Sequence, residues 1–175
     1  MKYLTGNMLK HAKNFEVMLV TTNGFVKTNG ECVMGRGIAN QVAKRIPNAP
    51  KLLGDSIKKN GNIVQCFFKN DKIELWSFPV KPAYGKEENL VAHMKGKIHG
   101  RVPGWAVKAE LPLIEKSLQQ LVARVERIGK KKILALPFGC GAGELSWKNS
   151  VESLAKKYLD DRFTICSFNQ SDFEK

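Results

Sequence analysis

The stretch Val33-Met34-Gly35-Arg36-Gly37-Ile38-Ala39 decides the fold of this chain, and a second glycine-rich stretch follows about a hundred residues later. The second stretch reads Pro137-Phe138-Gly139-Cys140-Gly141-Ala142-Gly143-Glu144-Leu145-Ser146-Trp147. Each one stands just before an apparent helix. Glycine lets the backbone approach a ligand closely, and the free N–H groups of a helix start attract phosphate. Two such loops in one chain indicate a diphosphate that is held from both sides.

The length and composition indicate one compact domain over residues 1–175, because 43% of the residues are hydrophobic and 26% are charged. No apolar run approaches the roughly 20 residues that span a bilayer. The first five residues, Met1 to Thr5, are typical of a strand rather than of a signal peptide. We therefore expect a cytoplasmic protein that does not bind a membrane.

The four cysteines are Cys32, Cys66, Cys140 and Cys166, and no two of them form a C-x-x-C pair. Three of them lie in or beside apolar, strand-like runs. This placement favours buried, reduced thiols over disulfides or a zinc site. We expect neither a metal nor a cofactor.

The chain is strongly basic, with 29 Lys and Arg against 16 Asp and Glu, which gives a formal net charge of +13. Such a charge favours an anionic substrate or a polyanionic partner, although a soluble basic surface has the same composition. The basic clusters are spread along the chain without an arginine-rich arm, a recognition-helix pattern or a zinc finger. Contact with nucleic acid is therefore an open possibility, whereas recognition of particular bases is not indicated.

Apolar runs that suit strands alternate along the chain with helical spacing. The pattern predicts strands at 1–5, 17–20, 62–68, 72–78, 132–137 and 162–168, and helices at 35–45, 48–59, 106–128 and 147–159. Asn70-Asp71 predicts a hairpin between the third and fourth strands, and Ser146 is a plausible N-cap. We expect an α/β fold with three layers, α/β/α, around a mixed, mostly parallel sheet whose loops gather at the strand ends.

Residues 79–103 contain glycines, prolines and lysines without clear periodicity. We interpret this segment, extending to about residue 105, as a long loop or insertion near the site. The apolar stripe of the helix that follows it is interpreted as core packing. Because no strong dimerisation stripe is present, we expect a monomer.

Two common nucleotide loops do not fit. The phosphate loop of ATPases requires G-x-x-x-x-G-K-[ST], which is absent from this chain. The string Gly35-Arg36-Gly37-Ile38-Ala39-Asn40 has two glycines of the dinucleotide fingerprint, but Asn40 stands at the third position. No acidic residue about 20 positions further on is placed as a ribose ligand. The sequence therefore disfavours ATPases, kinases and classical NAD enzymes.

The whole chain resembles the macrodomain family. Thr21-Thr22-Asn23-Gly24 followed by residues 33–39 is similar to the first ADP-ribose loop of that family, and residues 136–141 with Leu145-Ser146-Trp147 are similar to the second. Gly61-Asn62-Ile63-Val64 and Trp76-Ser77-Phe78-Pro79-Val80-Lys81 resemble the hairpin of one branch. That branch includes the bacterial DNA ADP-ribosylglycohydrolase antitoxins and the human terminal ADP-ribose glycohydrolase. The resemblance implies the macrodomain fold.

The resemblance also implies a set of residues that bind ADP-ribose. They are Asn7, Met8, Asn23, Met34, Gly35, Arg36, Gly37, Ile38, Pro137, Phe138, Gly139, Cys140, Gly141, Ala142, Gly143 and Glu144. Asn7 stands where the family has an acid that accepts from the adenine amine, and an amide oxygen can still accept that bond. Asn23 matches the asparagine near the distal ribose. The alternative is that the loops are tight turns which only connect a strand to a helix.

Lys81 is the sharpest catalytic candidate, with Asn23 beside it. In the similar branch, a lysine after this strand attacks or stabilises the anomeric carbon, which requires burial or nearby cations to lower the pKa of its amine. The alternative is an exposed charge in a lysine-rich loop. Gly143 stands where the human enzyme has an acid, with Glu144 one place later, so the antitoxin pattern fits better. His93 and His99 are further candidates as acid, base or substrate contact.

These observations predict an ADP-ribosyl hydrolase that binds ADP-ribose and removes it from a modified macromolecule, either a nucleic acid or a protein. Two alternatives remain open. One is a binding module for ADP-ribose or a related signalling nucleotide, which needs the loops but not Lys81. The other is an ADP-ribose 1''-phosphate phosphatase.

Overall fold

The computed structural model describes residues 1–175 and contains eight strands. They are β1 (Lys2–Thr5), β2 (Val17–Asn23), β3 (Gln65–Lys69), β4 (Glu74–Lys81), β5 (Tyr84–Gly85), β6 (Val102–Pro103), β7 (Ile133–Ala135) and β8 (Phe163–Ser167). Six of them form one sheet in the order β1-β8-β7-β2-β4-β3, and β5 pairs with β6 separately. Only β3 runs antiparallel to its neighbour in the six-stranded sheet, where it forms the expected hairpin with β4. The predicted mixed, mostly parallel sheet is confirmed.

Five α-helices accompany the sheet: α1 (Met8–His11), α2 (Gly37–Arg45), α3 (Ala49–Asn60), α4 (Leu111–Ile128) and α5 (Glu152–Tyr158). A turn of π-helix at Trp147–Val151 leads into α5, and the Ser146 side chain accepts a bond from the backbone N–H of Asn149, as expected of an N-cap. None of the helices is long and apolar enough to cross a membrane.

The long helix α4 begins later than the helical spacing predicts. The expected start at residue 106 is wrong because the backbone is extended at Val107 and again at Glu110, and the helix begins at Leu111 with Pro112 in its first turn. Proline fits there because first-turn N–H groups have no intrahelical partner. The end is as predicted, since Gly129 takes the left-handed conformation, with φ of 69°.

Hydrophobic clusters on both faces of the sheet give the three layers. Along β2, Val17 and Leu19 face the cluster that contains α4, while Met18 and Val20 face the cluster that contains α2 and α3. This alternation is the two-residue period of a strand whose two faces are both covered. The predicted α/β/α architecture is therefore confirmed.

The parallel strands end at one edge of the sheet and so bring distant segments of the chain together. The first glycine loop follows β2, the second follows β7, and Lys81 is the last residue of β4. Strands β1 and β2 stand three positions apart in the sheet, which at about 4.8 Å per strand is roughly 14 Å. In open α/β sheets ligands bind at this edge.

The segment between β4 and α4 is more ordered than its sequence predicts. Residues 79–81 complete β4 rather than open a loop, and residues 84–85 pair with 102–103 as β5 and β6. Four buried side chains give the segment a small core of its own: Leu90, Val102, Ala106 and Val107. We call residues 91–105 the cover segment, because part of it lies over the site described next.

Candidate functional site

Both glycine loops line a single cavity of about 830 Å³ at the carboxyl edge of the sheet. Residues 33–37 form one wall, and Pro137, Gly139 and residues 141–143 form another. Two segments that lie about a hundred residues apart in the chain therefore meet around one space, as the sequence predicts. A cavity of this size is within the range that holds small-molecule ligands.

Asn23 shapes the first loop. Its Nδ2 donates to the carbonyl oxygen of Val33 at 2.9 Å, and its Oδ1 accepts from the N–H of Phe25 at 3.0 Å. The side chain lies in the cavity wall and is almost fully buried. An amide group has two donor hydrogens and two acceptor lone pairs, so one of each remains for a ligand. Asn23 thus holds the first loop through two hydrogen bonds and is also a candidate ribose contact.

The glycines of the two loops divide into two kinds. A Cβ on Gly139 would lie 2.7 Å from the side chain of Ala109, and one on Gly143 would lie 2.3 Å from the Gly139 carbonyl oxygen, so packing requires both. A Cβ on Gly141 would meet no atom within 4 Å, and one on Gly35 would meet only Val33, at 4.0 Å. The packing of the chain does not explain why Gly141 and Gly35 have no side chain. A ligand that approaches the backbone closely does explain it.

Lys81 projects into the cavity wall from the end of β4 and is 7% exposed. Its Nζ donates to the carbonyl oxygens of Ala142 at 2.8 Å and Trp105 at 3.3 Å. Burial is the main cause that lowers the pKa of the Lys81 amine, the charge of Glu144 opposes the shift, and Arg36 adds to it, so that the resulting pKa is about 8. The alternative of an exposed surface lysine is therefore wrong. An amine of this kind can act in either charge state near neutral pH.

Strand pairing places the two catalytic candidates side by side. Asn23 is the Cα partner of Lys81 in the parallel pairing of β2 and β4, directly after an irregularity in register at Thr22. Thr22 is also a residue of the cavity wall, but its Oγ1 is buried away from the cavity and has no hydrogen-bond partner.

The ionisable side chains that line the cavity are basic: Lys27, Arg36, Lys81 and His93. No aspartate or glutamate lines it. The site therefore favours an anionic ligand, and its lining offers no carboxylate for acid–base chemistry. The chain has no group of three or more His, Cys, Asp or Glu side chains that is arranged to hold a metal ion.

The cover segment forms part of the cavity wall, to which it contributes Val91, His93, Met94, Pro103 and Trp105. Of these five residues the sequence singled out only His93. The other expected histidine, His99, does not line the cavity and instead lies 3.3 Å from the Glu87 carboxylate. The sequence places this segment near the site, but without periodicity it does not indicate which of its residues line the cavity, because the path of the segment depends on tertiary contacts.

Glu144 holds the cover segment to the second loop. One carboxylate oxygen accepts from the N–H of Ala92 at 2.8 Å, and the other lies 3.6 Å from the Nζ of Lys108. Glu144 is the only residue other than glycine with positive φ, at 59°. The left-handed backbone turns this side chain, which is one of the predicted ligand contacts, toward Ala92 and outside the cavity lining.

Four other predicted ligand contacts have side chains outside the cavity lining: Met8, Ile38, Phe138 and Cys140. Phe138 is fully buried and stacks on Phe78 with ring centroids 4.2 Å apart. Any contact that Phe138 makes with a ligand must therefore come from its backbone. Burial raises the pKa of the Cys140 thiol to about 12, so this sulfur is not a nucleophile at neutral pH.

Asn7 lies further along the same edge of the sheet and outside the cavity. Its Oδ1 accepts from the N–H of Leu9 at 2.9 Å, which caps α1. Phe168 follows the neighbouring strand β8 and is 60% exposed. The sequence predicts that a strand ends at Phe168 but does not indicate that this side chain is exposed. An exposed aromatic at the carboxyl end of a strand is a flat surface on which a base can stack.

No protein-family model matches the chain. No curated protein matches it either. Solved structures do match over nearly the whole length. The macrodomain of Mycobacterium tuberculosis DarG shares 20% identity, with 94% of this chain and 95% of that one covered and a TM-score of 0.66. The macrodomain of Thermus aquaticus DarG shares 18% identity, with 96% and 97% covered and a TM-score of 0.65.

A third match is Thermosipho africanus DarTG in complex with ADP-ribose. It shares 19% identity, with 93% of this chain and 40% of that one covered and a TM-score of 0.63. Taken together, these likenesses show that the chain has the macrodomain fold, as the resemblance of its loops implies.

Proposed function

We propose that this chain binds ADP-ribose in the cavity and hydrolyses the bond that joins the distal ribose to a modified macromolecule. The observation that carries the proposal is the position of Lys81, a buried amine in the wall of a basic cavity that both glycine loops line. ADP-ribose supplies the two phosphates that such loops would hold. The macrodomain fold and the solved complex of Thermosipho africanus DarTG with ADP-ribose support this choice of ligand.

The order of the strands suggests how the ligand lies. Asn7 and Phe168 follow β1 and β8, the second loop follows β7, and Asn23 ends β2. In this order, adenine would lie at Asn7 and Phe168, the diphosphate between the two glycine loops, and the distal ribose at Asn23. The ligand would then extend across roughly 14 Å of the sheet. In that pose C1'' of the distal ribose points toward Lys81.

Hydrolysis at C1'' needs no cofactor. The oxygen of a water molecule bonds to C1'', the bond from C1'' to the macromolecule breaks, and the leaving group keeps the electron pair and gains a proton that the water loses. As an ammonium ion, Lys81 would stabilise the negative charge that develops on the leaving group. Asn23 would orient the ribose hydroxyls beside it.

A pure binding module is the second candidate, and one observation favours it. The cavity lining holds no carboxylate, whereas many glycoside hydrolases use a pair of them. Such a module would bind ADP-ribose with the same loops and release none of it from a modified substrate.

Calorimetry with ADP-ribose and release of ADP-ribose from modified DNA and protein separate the two candidates. We expect wild-type protein to bind ADP-ribose and to release it from at least one substrate, and Lys81→Met to abolish release. Lys131→Met is the matched control, because Lys131 is exposed and does not line the cavity. Binding without any release would support the module, and absence of binding would overturn both candidates. Rapid phosphate release from ADP-ribose 1''-phosphate would instead indicate a phosphatase.

A further inference from the structure

We propose that Phe25, Tyr84 and Arg101 form a stacking platform for a base of the nucleic acid from which ADP-ribose is removed. The inference rests on the proposed function and deepens it, because it assigns to three residues of this chain the contact with a base of a nucleic-acid substrate. We call these three residues the base platform.

The three residues of the base platform contact one another in the order Phe25, Tyr84, Arg101, starting from the cavity wall. Phe25 lines the cavity, and the ring of Tyr84 meets it edge to face with centroids 5.5 Å apart. The guanidinium carbon of Arg101 lies 3.5 Å from the Tyr84 ring centroid. Arg101 is exposed and Tyr84 is 43% exposed. The Tyr84 ring therefore covers one face of the Arg101 guanidinium, and this pair lies exposed beside the cavity.

The pairing of β5 with β6 builds this arrangement. Tyr84 pairs with Pro103 and Gly85 pairs with Val102, so Arg101 is the diagonal neighbour of Tyr84 on the same face of the hairpin. Gly85 is required at its position, because a Cβ there would lie 2.6 Å from the side chain of Val107. The hairpin is thereby held against the rest of the segment, which fixes the position of the ring.

The base platform lies where the leaving group must be. In the proposed pose, adenine occupies the β1 side of the sheet and the distal ribose occupies the β2–β4 side, next to Asn23 and Lys81. The macromolecule is attached to that ribose, and Phe25, which begins the base platform, follows Asn23 by two residues at the end of β2 and lines the same cavity.

The charges at the rim favour a polyanion. Arg101 and Arg36 form no ion pair, and the side chain of Lys86, the next residue after β5, is 80% exposed with only a 4.0 Å contact to Glu88. Glu87 is occupied by His99 and by the N–H of Gly100. Phosphates close to free cations gain electrostatic stabilisation, whereas the guanidinium plane of arginine stacks on nucleobases.

Nucleic acid fits this surface better than protein does. Single-stranded nucleic acids are bound by aromatic and arginine planes next to a basic groove, and each stacked base contributes about 1–3 kcal/mol. A peptide would gain from the cations only where it is acidic. The net charge of +13 extends the same preference over the whole chain.

The test compares rates on two substrates, a single-stranded DNA oligonucleotide and a peptide, each carrying one ADP-ribose. We expect Tyr84→Ala and Arg101→Ala to lower kcat/KM on the oligonucleotide roughly 5- to 150-fold, the range that corresponds to loss of one stacked base. The rate on the peptide and the Kd for free ADP-ribose should not change. Arg101→Lys should lose most of the same activity although it keeps the charge.

Two variants serve as matched controls. Tyr84→Phe keeps the ring and should behave as wild type. Arg127→Ala removes the same charge as Arg101→Ala from an exposed site in the last turn of α4, away from the cavity lining, and should change the oligonucleotide rate less than 2-fold. Equal losses from Arg101→Ala and Arg127→Ala would mean that only net charge matters, which would overturn the base platform. Equal losses on oligonucleotide and peptide would overturn it as well.

Failure of the proposed function has a different signature. If wild-type protein releases no ADP-ribose, the base platform is measured by fluorescence anisotropy with an unmodified single-stranded oligonucleotide at two salt concentrations. Weaker binding by Tyr84→Ala, with Tyr84→Phe unchanged, would support the base platform. Unchanged binding by Tyr84→Ala would overturn it.

Discussion

The Nζ of Lys81 donates a hydrogen bond to the carbonyl oxygen of Ala142 at 2.8 Å. The bond joins the end of β4 to the middle of the second glycine loop, 61 residues further along the chain. The loop proposed to hold a phosphate and the amine proposed to act at the distal ribose are therefore one structural unit. Displacement of the loop by a ligand would also move the amine.

Replacement of Lys81 by methionine should abolish most hydrolysis and leave ADP-ribose binding largely intact. Methionine keeps the apolar stem of the side chain and removes the charge that stabilises the leaving group. Loss of one such electrostatic contact lowers kcat by about 100-fold or more. Single-turnover release of ADP-ribose measures the effect, and Lys131→Met should retain the wild-type rate.

The pH profile identifies the charge state in which Lys81 acts. Burial lowers the pKa of Lys81 to about 8, so an ammonium that stabilises the leaving group is lost as pH rises through that value. The rate of release should then fall above about pH 8 in wild type and should stay level there in Lys81→Arg, whose guanidinium keeps its charge. A rate that rises through pH 8 would instead show that the neutral amine is the active form.

The free energy of unfolding should rise with pH in the range where the rate of release falls. The pKa of Lys81 is lowered from 10.5 to about 8 on folding, so between these values the unfolded chain binds more protons than the folded chain. Stability due to this group therefore rises with pH from about 8 to 10.5. The free energy of unfolding of wild type relative to Lys81→Met should increase by on the order of 2 kcal/mol between pH 7.5 and pH 10. Urea titrations at both values measure it, and a constant difference would rule out a buried, titrating amine.

Substitution of two glycines of the second loop should have different effects on the free energy of unfolding. A Cβ on Gly141 would meet no atom within 4 Å, so Gly141→Val should change the free energy of unfolding by about 0.5 kcal/mol or less while blocking the cavity wall. A Cβ on Gly143 would lie 2.3 Å from the Gly139 carbonyl oxygen, so Gly143→Ala should cost more than about 1 kcal/mol. Thermal melts with and without ADP-ribose compare them. Full ADP-ribose affinity in a stable Gly141→Val protein would show that the ligand does not approach this loop.

Glu144 should have two separate effects, one on hydrogen exchange in the cover segment and one on the pKa of Lys81. Glu144→Ala removes the acceptor of the Ala92 N–H, so hydrogen exchange over residues 91–94 should become faster. Glu144→Gln keeps an acceptor and should protect this segment better. Both variants remove the charge that raises the pKa of Lys81, so both should move the pH profile to lower pH. Identical exchange in wild type and Glu144→Ala would show that the carboxylate does not hold the segment.

The features that the sequence predicted correctly depend on local chemistry. Gly129 ends α4 because of its own backbone freedom, Ser146 caps the helical turn after it, and alternation along β2 identifies a strand that is covered on both faces. The two glycine loops are also predicted from local sequence, because glycine lets the backbone of each loop approach a ligand closely.

The features that the sequence missed depend on contacts between distant segments. Nothing near Glu144 predicts that it turns toward Ala92, which lies 52 residues away. Val91, Met94 and Trp105 line the cavity although their segment has no periodicity, because a small core of its own shapes that segment. The exposure of Phe168 likewise depends on where β8 ends in the sheet.

A crystal structure of this protein with ADP-ribose bound tests the central claim most directly, through the distance from the Lys81 Nζ to C1'' of the distal ribose. The proposed function predicts that the diphosphate lies between the two glycine loops and that this distance is about 4 Å or less, because an ammonium that donates to the atom leaving C1'' must lie next to that carbon. A distal ribose that points away from Lys81, or ADP-ribose bound outside the cavity, would contradict it.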